Sequence, residues 1–537
     1  MGTFLNNRIP LEAYKSAVSG RYFVDKSRLI EELLPALGTE ERFYCVTRPR
    51  RFGKSIMANM VGAFFGKGGD AGSVFSALEI SRCKNYAEHL NKHNVIYIDF
   101  SEVPRDCTTY IQYITRFQNG INEDLAAAYP ELEIDISNAV WDILTAIFQK
   151  TEHKFIFVID EWDAVFHMPF VQEEEKKAYL LFLKSLLKGK VYVQFAYMTG
   201  ILPIAKYSSG SEINMFLEYD MTTKIKFSEF FGFDDTEVDI LFEIYRQNTK
   251  KPRISREELS AWYDGYYTAG GDRIYNPRSV VCALTDNQIS NYWTSSGPYD
   301  ELFYYVRNNV EDVRDDIALM AAGEPIQIKL EGYAATTADL RTKNQIYSAM
   351  VVYGLLTYNQ ETGEVSIPNR ELMMKFNDLL MCNESFGYVH RLAAQSSRML
   401  KATLDGNTQT MAEILEYAHN TESPIFSYNS EIELSAVVNL VYLAARDRYR
   451  VEREDKAGKG YVDFIFYPER TGDDAIILEL KIDDTPDEAI RQIRDKRYDL
   501  RFMGKLGEQP KYTGRILGVG ISYNRTDKTH SCKIEIL

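Results

Sequence analysis

Cysteine is scarce and scattered in this chain: six residues among 537 (Cys45, Cys83, Cys107, Cys282, Cys382, Cys532), none at CxxC spacing. That excludes a disulfide framework and a zinc ribbon, and it fits a reducing compartment. Long apolar runs are missing as well. No stretch approaches the about 20 residues of a membrane span, and MGTFLNNRIPLEAYK at the start has no apolar core of the signal-peptide kind. The expectation is a cytoplasmic protein with no membrane partner. Basic residues are in deficit, 62 Lys and Arg against 77 Asp and Glu, for a net charge of −15. A surface coated for nucleic acid is thereby excluded, whereas a local basic patch is not. Residues 491–515 form one candidate, with eight Lys or Arg against three Asp or Glu. A solvated helix face fits the same charges equally well.

What is present suits a multidomain globular protein. Apolar residues at 45% supply enough core, and the length exceeds what one core organises. The first part, about residues 1–240, alternates short apolar runs with helical stretches. ERFYCVT, NVIYIDF (94–100), FIFVIDE (155–161) and VYVQFAYMTG (191–200) are near-continuous apolar runs. Such runs suit buried strands of a parallel sheet covered by helices on both faces, an α/β fold. SIMANMVGAFF puts Ile56, Met57, Met60, Val61 and Phe64 at helical spacing. Residues 241–382 turn helical and tyrosine-rich, with WYDGYY and YNPRS, then a helix (IYSAMVVYGLL) and a hairpin around Thr-Gly, which is how a winged-helix module ends. From about 383 the chain begins helical. After Arg450 it turns to strands: GYVDFIFYP, AIILELKI and RILGVGISY.

The stretch RPRRFGKS (48–55) ends like a phosphate-binding loop, yet Arg48 stands where the pattern GxxxxGK[ST] has its first glycine. Such a loop works because consecutive backbone N–H groups and a helix N-terminus converge on a polyanion. Gly53 allows close backbone approach, Lys54 reaches phosphate and Ser55 ligates Mg²⁺. The strand before and the helix after supply the context this motif requires. The candidate ATP-binding segment runs through Arg50, Arg51, Phe52, Gly53, Lys54, Ser55 and Ile56. Arg50 and Arg51 have two readings, bidentate phosphate partners or residues that face solvent or clamp a neighbouring domain. FIFVIDEWD delivers Asp160, a Mg²⁺ holder, and Glu161, a base for water, to the end of a strand where parallel sheets bind ligands. The next strand ends at Met198-Thr199-Gly200, which places Thr199 to orient that water. Trp262 and its tyrosine neighbours read as core packing rather than an adenine stack. His89 and His93, at i, i+4 without the glutamate of HExxH, read as surface histidines.

These residues resemble a family: the bacterial AAA-ATPase-like proteins that carry a PD-(D/E)XK nuclease-like C-terminal domain. The resemblance covers nearly the whole chain and rests on RYFVDKS (21–27), RPRRFGKS, VIDEWD, MTGILPI, FFGFDDTEV (230–238), WYDGYY and YNPRS. It implies an additional-strand P-loop ATPase core followed by a helical segment, with RPRRFGKS as the usual form of the loop.

Metal-dependent nucleases cluster carboxylates around Mg²⁺ and often add a lysine. GYVDFIFYP and AIILELKI make an antiparallel hairpin in which Glu479 and Lys481 share one face. Asp463 lies on the first strand. D-x₁₅-E-x-K on paired strands is the PD-(D/E)XK pattern, with Val462 in place of the proline. A hairpin laced by cross-strand ion pairs is the bland alternative, and the apolar neighbours of these charges argue against it. Glu431 or Glu433 on the preceding helix could add a third ligand, and matching to the family favours Glu431. Gln492, Lys496 and Tyr498 follow on a helix that in such folds faces the scissile region.

The expected function is thus an ATP-binding and ATP-hydrolysing protein whose nucleotide state controls a metal-dependent nuclease-like domain acting on DNA or RNA. Lys54, Ser55, Asp160 and Glu161 would run the first reaction, and Asp463, Glu479 and Lys481 the second. The alternative is a nucleotide-gated switch whose nuclease-like domain binds without cutting. A homo-oligomer is left open.

Overall fold

A computed structural model describes residues 2–204, 213–293, 310–330, 340, 342–420, 431–457, 460–468, 470, 472–502 and 514–537. The chain divides into two compact units, Met1–Leu302 with Gln327–Leu372, and Phe303–Ile326 with Met373–Leu537.

The first unit is organised by five parallel strands: β1 (Phe43–Thr47), β2 (Asn94–Asp99), β3 (Phe155–Asp160), β4 (Val193–Gly200) and β5 (Leu217–Tyr219). Their order is β2-β3-β4-β1-β5. β4 therefore lies between β1, which feeds the loop, and β3, which carries the acidic pair. This is the additional-strand arrangement the resemblance implies. Alternate residues feed two separate cores, as a pleated strand buried on both faces must. Phe155, Phe157 and Ile159 pack under the helices Tyr110–Ala128, Val140–Thr151 and Glu173–Leu187. Ile156 and Val158 face the helix Lys54–Phe65 and the N-terminal helix Ile9–Val18. In Lys54–Phe65 the buried residues Met57, Met60, Val61 and Phe64 fall at the expected spacing, whereas Ile56 is 42% exposed.

The helical stretch beyond Asp234 packs within this same unit. Asp234 and Ser255 each cap a helix through a box with Glu237 and Glu258. Trp262 packs against the apolar cluster of these helices, as the sequence indicates. Helix Lys343–Tyr353 stops at Gly354 (φ 79°) and is followed by the hairpin β6 (Thr357–Asn359) and β7 (Glu364–Ser366), the helix-then-wing order expected. His89 and His93 are not open surface residues. Their rings stack 5.2 Å apart, and His93 also bonds Gln194. Among the described residues no cluster of three metal-ligating side chains occurs, and no helix is long and apolar enough to cross a membrane.

The second unit is built on a mixed sheet of β8 (Tyr449–Ala457), β9 (Gly460–Pro468), β10 (Ala475–Ile482), β11 (Ile516–Asn524) and β12 (Thr529–Ile536), in that order. β9 and β10 are antiparallel, as the hairpin reading requires, and β10 runs parallel to β11. The helix Pro486–Lys496 supplies that parallel crossover. It lies so close to β11 that a Cβ at Gly520 would sit 2.4 Å from the carbonyl oxygen of Pro486. Residues 503–513 of the candidate basic patch lie outside the described residues.

Candidate functional sites

The loop after β1 ends in a left-handed Gly53 (φ 90°), and helix Lys54–Phe65 starts at once with no side-chain cap. Its first N–H groups are therefore open to an anion. Lys54 is almost fully buried. Its Nζ donates to the carbonyl of Pro49 at 3.2 Å and lies 3.9 Å from Oε1 of Glu161. At the end of β3, Asp160 is buried and accepts a hydrogen bond from the hydroxyl of Thr199, and the hydroxyl of Ser55 also acts on it. Burial pushes its carboxyl up to about 6 against the pull of those two hydroxyls. Glu161 is also raised, by burial first, with Lys54 opposing. The sheet order thus brings Lys54, Ser55, Asp160, Glu161 and Thr199 to one rim. Ser55 and Asp160, an oxygen pair beside the loop, are a fitting donor set for Mg²⁺. A cleft of about 1410 Å³ opens there, lined by Arg50–Met57, Glu161, Tyr22, Phe23, Arg278 and Cys282 among others. Its size admits a nucleotide.

Arg48 is placed differently from a phosphate ligand. It is 1% exposed, and its guanidinium donates to the carbonyls of Thr47 (2.8 Å), Tyr219 (2.8 Å) and Phe227 (3.3 Å) while lying 4.8 Å over the ring of Phe231. It staples β1 to β5 and the segment beyond. Burial lowers its pKa to about 10. Arg51 takes a left-handed backbone (φ 70°) and donates to the carbonyl of Tyr292. The ring of Phe52 is buried against Tyr266, with Met221 and Ile274 in the same cluster. Arg50 lines the cleft, and its charge acts on Glu161.

Two residues of this site carry no clear signal in the sequence. Asp163 is buried, and its Oδ2 accepts from the N–H groups of Ile201 (3.0 Å) and Leu202 (2.8 Å), which fixes the turn after Thr199. Gly200 must be small there, since a Cβ would sit 2.5 Å from Oδ1 of Asp163. The tail of the VIDEWD motif gives a position for Asp163 but no role. Glu371 is the other, and nothing near it in sequence points to the loop.

In the second unit, Ala475, Ile477, Glu479 and Lys481 follow one another on one face of β10. The first two join the core under helix Pro486–Lys496, and the last two reach the site. The β9–β10 register pairs Phe464 with Leu478, so one further step brings Asp463 opposite Glu479. Asp463 Oδ2 accepts from the N–H of Leu480 at 2.7 Å. Lys481 Nζ lies 3.3 Å from Glu479 Oε1 and donates to Gln492 Oε1 at 2.8 Å, and Gln492 donates to Glu479 in turn. Tyr498 OH lies 3.5 Å from Gln492 Nε2. Lys496 is exposed on the last helical turn. Glu479 is 3% exposed, and burial with the nearby Asp463 charge pushes its carboxyl up to about 8. Its Oε2 is buried without a hydrogen-bond partner among the described residues, the chemistry of an oxygen suited to a cation. Glu431 opens the helix Glu431–Val441, and its side chain lies outside the described residues. Glu433 on the same helix is half-buried.

The strand order with its loop defines a P-loop NTPase fold, and the mixed sheet an α/β nuclease-like domain. Residues 11–209 match the family described as predicted AAA-ATPase, and residues 435–520 match the PD-(D/E)XK nuclease superfamily. The chain is thus similar to AAA-ATPase-like proteins over residues 11–209 and to the PD-(D/E)XK nuclease superfamily over residues 435–520. A relative described as an uncharacterized protein in the vnfD 5′ region of Azotobacter chroococcum mcd 1 is 25% identical over 283 residues, 51% of each chain. The match thus spans about half the length of that relative. Among solved structures, the Walker-type ATPase PABY2304 of Pyrococcus abyssi is 13% identical with a TM-score of 0.37, covering 65% of this chain and 94% of that one. The ORC2 protein of Aeropyrum pernix, in ADPNP–ADP complexes, is 13% identical with a TM-score of 0.31, covering 66% and 91%. Likeness at these values assigns no activity to this chain.

Proposed function

We propose that the first unit binds and hydrolyses ATP with Mg²⁺, and that its nucleotide state controls a metal-dependent nuclease-like centre in the second unit acting on DNA or RNA. The carrying observation is that each unit gathers its own set of reacting groups on adjacent strands. In the first, backbone N–H groups of the loop and Lys54 hold the phosphates, and Ser55 with Asp160 would hold Mg²⁺. Mg²⁺ held there would supply neutralisation of phosphate charge. Glu161 takes a proton from the attacking water, and burial, which raises its carboxyl, makes it a better base than an exposed one. Thr199 orients that water while anchoring Asp160. Arg50 is the loop arginine this reading sets toward the phosphates. In the second unit, Asp463 and Glu479 would hold Mg²⁺, Glu431 would be the third ligand on the resemblance read from the sequence, and Lys481 stabilises charge on the scissile phosphate.

Titration of the purified chain with Mg·ATP tests the first half. Saturable binding lost in Lys54→Ala supports it, and absence of binding in the wild type removes it.

One observation favours the non-cleaving switch as a second reading. Glu479 Oε1 is already engaged by Lys481 and Gln492, so the carboxylate is held within the protein's own network. Cleavage by wild type but not by Glu479→Ala decides for the nuclease.

A further inference from the structure

Four consecutive residues of the loop, none of them at the Gly-Lys-Ser end, are each fixed by the helical and wing part of the same unit. Pro49 abuts Gly354, where an added Cβ would lie 2.7 Å from it. The carbonyl of Arg50 accepts from Asn276 at 3.5 Å, Arg51 donates to Tyr292 O, and Phe52 packs edge-on to Tyr266. Behind the Arg51 contact stands Glu371, 1% exposed. Its Oε1 accepts from the N–H groups of Tyr292 (2.6 Å) and Trp293 (2.7 Å), and its Oε2 from the hydroxyl of Ser279 (2.8 Å). Its own carbonyl accepts from Asn291 at 2.9 Å.

A buried carboxylate is retained only where donors converge on it, and here two of the three, the N–H groups of Tyr292 and Trp293, belong to one turn, residues 291–293. That turn presents the Tyr292 carbonyl to Arg51. Arg51 needs such an anchor, because a non-glycine residue at φ 70° is strained and persists only where its surroundings fix it. Phe52 and Gly53 follow directly, so the direction of their N–H groups depends on the backbone of Arg51.

We propose that Glu371 is a positioning residue for the nucleotide site, acting through the 291–293 turn and Arg51 to hold the phosphate loop in its binding form. The inference rests on the nucleotide-site reading above.

The test is a double-mutant cycle on the full chain, read as the dissociation constant of a fluorescent ATP analogue with Mg²⁺. Arg51→Ala and Glu371→Ala should each weaken binding about tenfold, and the double variant should be no weaker than the poorer single one. Glu371→Gln, which keeps an acceptor for both N–H groups, should recover most of the affinity. A role in general stability alone would make the two losses multiply, and that result, or unchanged affinity in either single variant, overturns the proposal. If Glu371→Ala does not fold, amide exchange in Arg51→Ala serves instead. Exchange at Tyr292 and Trp293 should quicken, and unchanged protection there overturns the proposal. A wild type that binds no nucleotide fails the functional reading itself, a result distinct from these.

Discussion

The hydroxyl of Thr199, at the end of β4, donates to Oδ1 of Asp160, at the end of β3. Two residues 39 positions apart in the chain are thereby joined at the carboxylate that would hold Mg²⁺, and Asp163 fixes the turn immediately beyond.

Thr199→Ala removes one hydrogen bond to a buried carboxylate, an interaction of about 1.5–3 kcal/mol. ATP hydrolysis should fall by about tenfold or more, with Mg·ATP affinity changed far less. Steady-state kinetics beside a binding titration checks this. Equal losses in both would place Thr199 in binding rather than hydrolysis.

Glu161→Gln keeps the shape of the side chain but cannot accept a proton. Nucleotide binding should persist while turnover drops by about 10²–10⁴-fold, the usual weight of a general base. Turnover within a few-fold of wild type would assign the base elsewhere.

Arg48→Gly restores the consensus first glycine and should nevertheless weaken the protein. Three backbone carbonyls would lose their donor, at about 1–3 kcal/mol for each that stays buried and unsatisfied. A urea melt should show the loss, whereas the nucleotide affinity of folded protein should hold. A gain in stability would contradict the staple.

Much of the first unit was legible in the sequence. β1 and β3 are fully buried and β4 is buried except at Gln194, so their apolar runs are nearly continuous, and the loop, Asp160 and Thr199 are tied to their ends. The role of Arg48 was not legible, since a charged residue in RPRR reads as surface or phosphate ligand until β5 and Phe231 enclose it. Glu371 was hidden for another reason: its partners stand far away in the chain. β8, with its alternating charges (VEREDK), and the polar edge strand β12 likewise lack an apolar run. The face shared by Glu479 and Lys481 was legible from period two alone. Gln492 was placed on the right helix, but its contacts needed the parallel crossover.

Glu479 gives a pH signature. Its carboxyl is raised from 4.5 to about 8, so the folded state binds a proton more tightly than the unfolded one. The stability it contributes is full below about 4.5 and is lost as pH rises through about 8. Thermal melts without divalent metal from pH 5 to 9 should show wild type falling relative to Glu479→Gln. Parallel curves would show that the carboxyl titrates normally.

We propose above that nucleotide state in the first unit governs phosphodiester cleavage in the second. It is tested most directly by incubating single- and double-stranded DNA and RNA with wild type, Lys54→Ala and Glu479→Ala, in Mg²⁺ or Mn²⁺, with and without ATP. Wild type should cleave to an extent that changes with ATP, Lys54→Ala should lose that ATP response, and Glu479→Ala should not cleave. Cleavage equal in wild type and Glu479→Ala, or wild-type cleavage indifferent to ATP, would contradict the proposal.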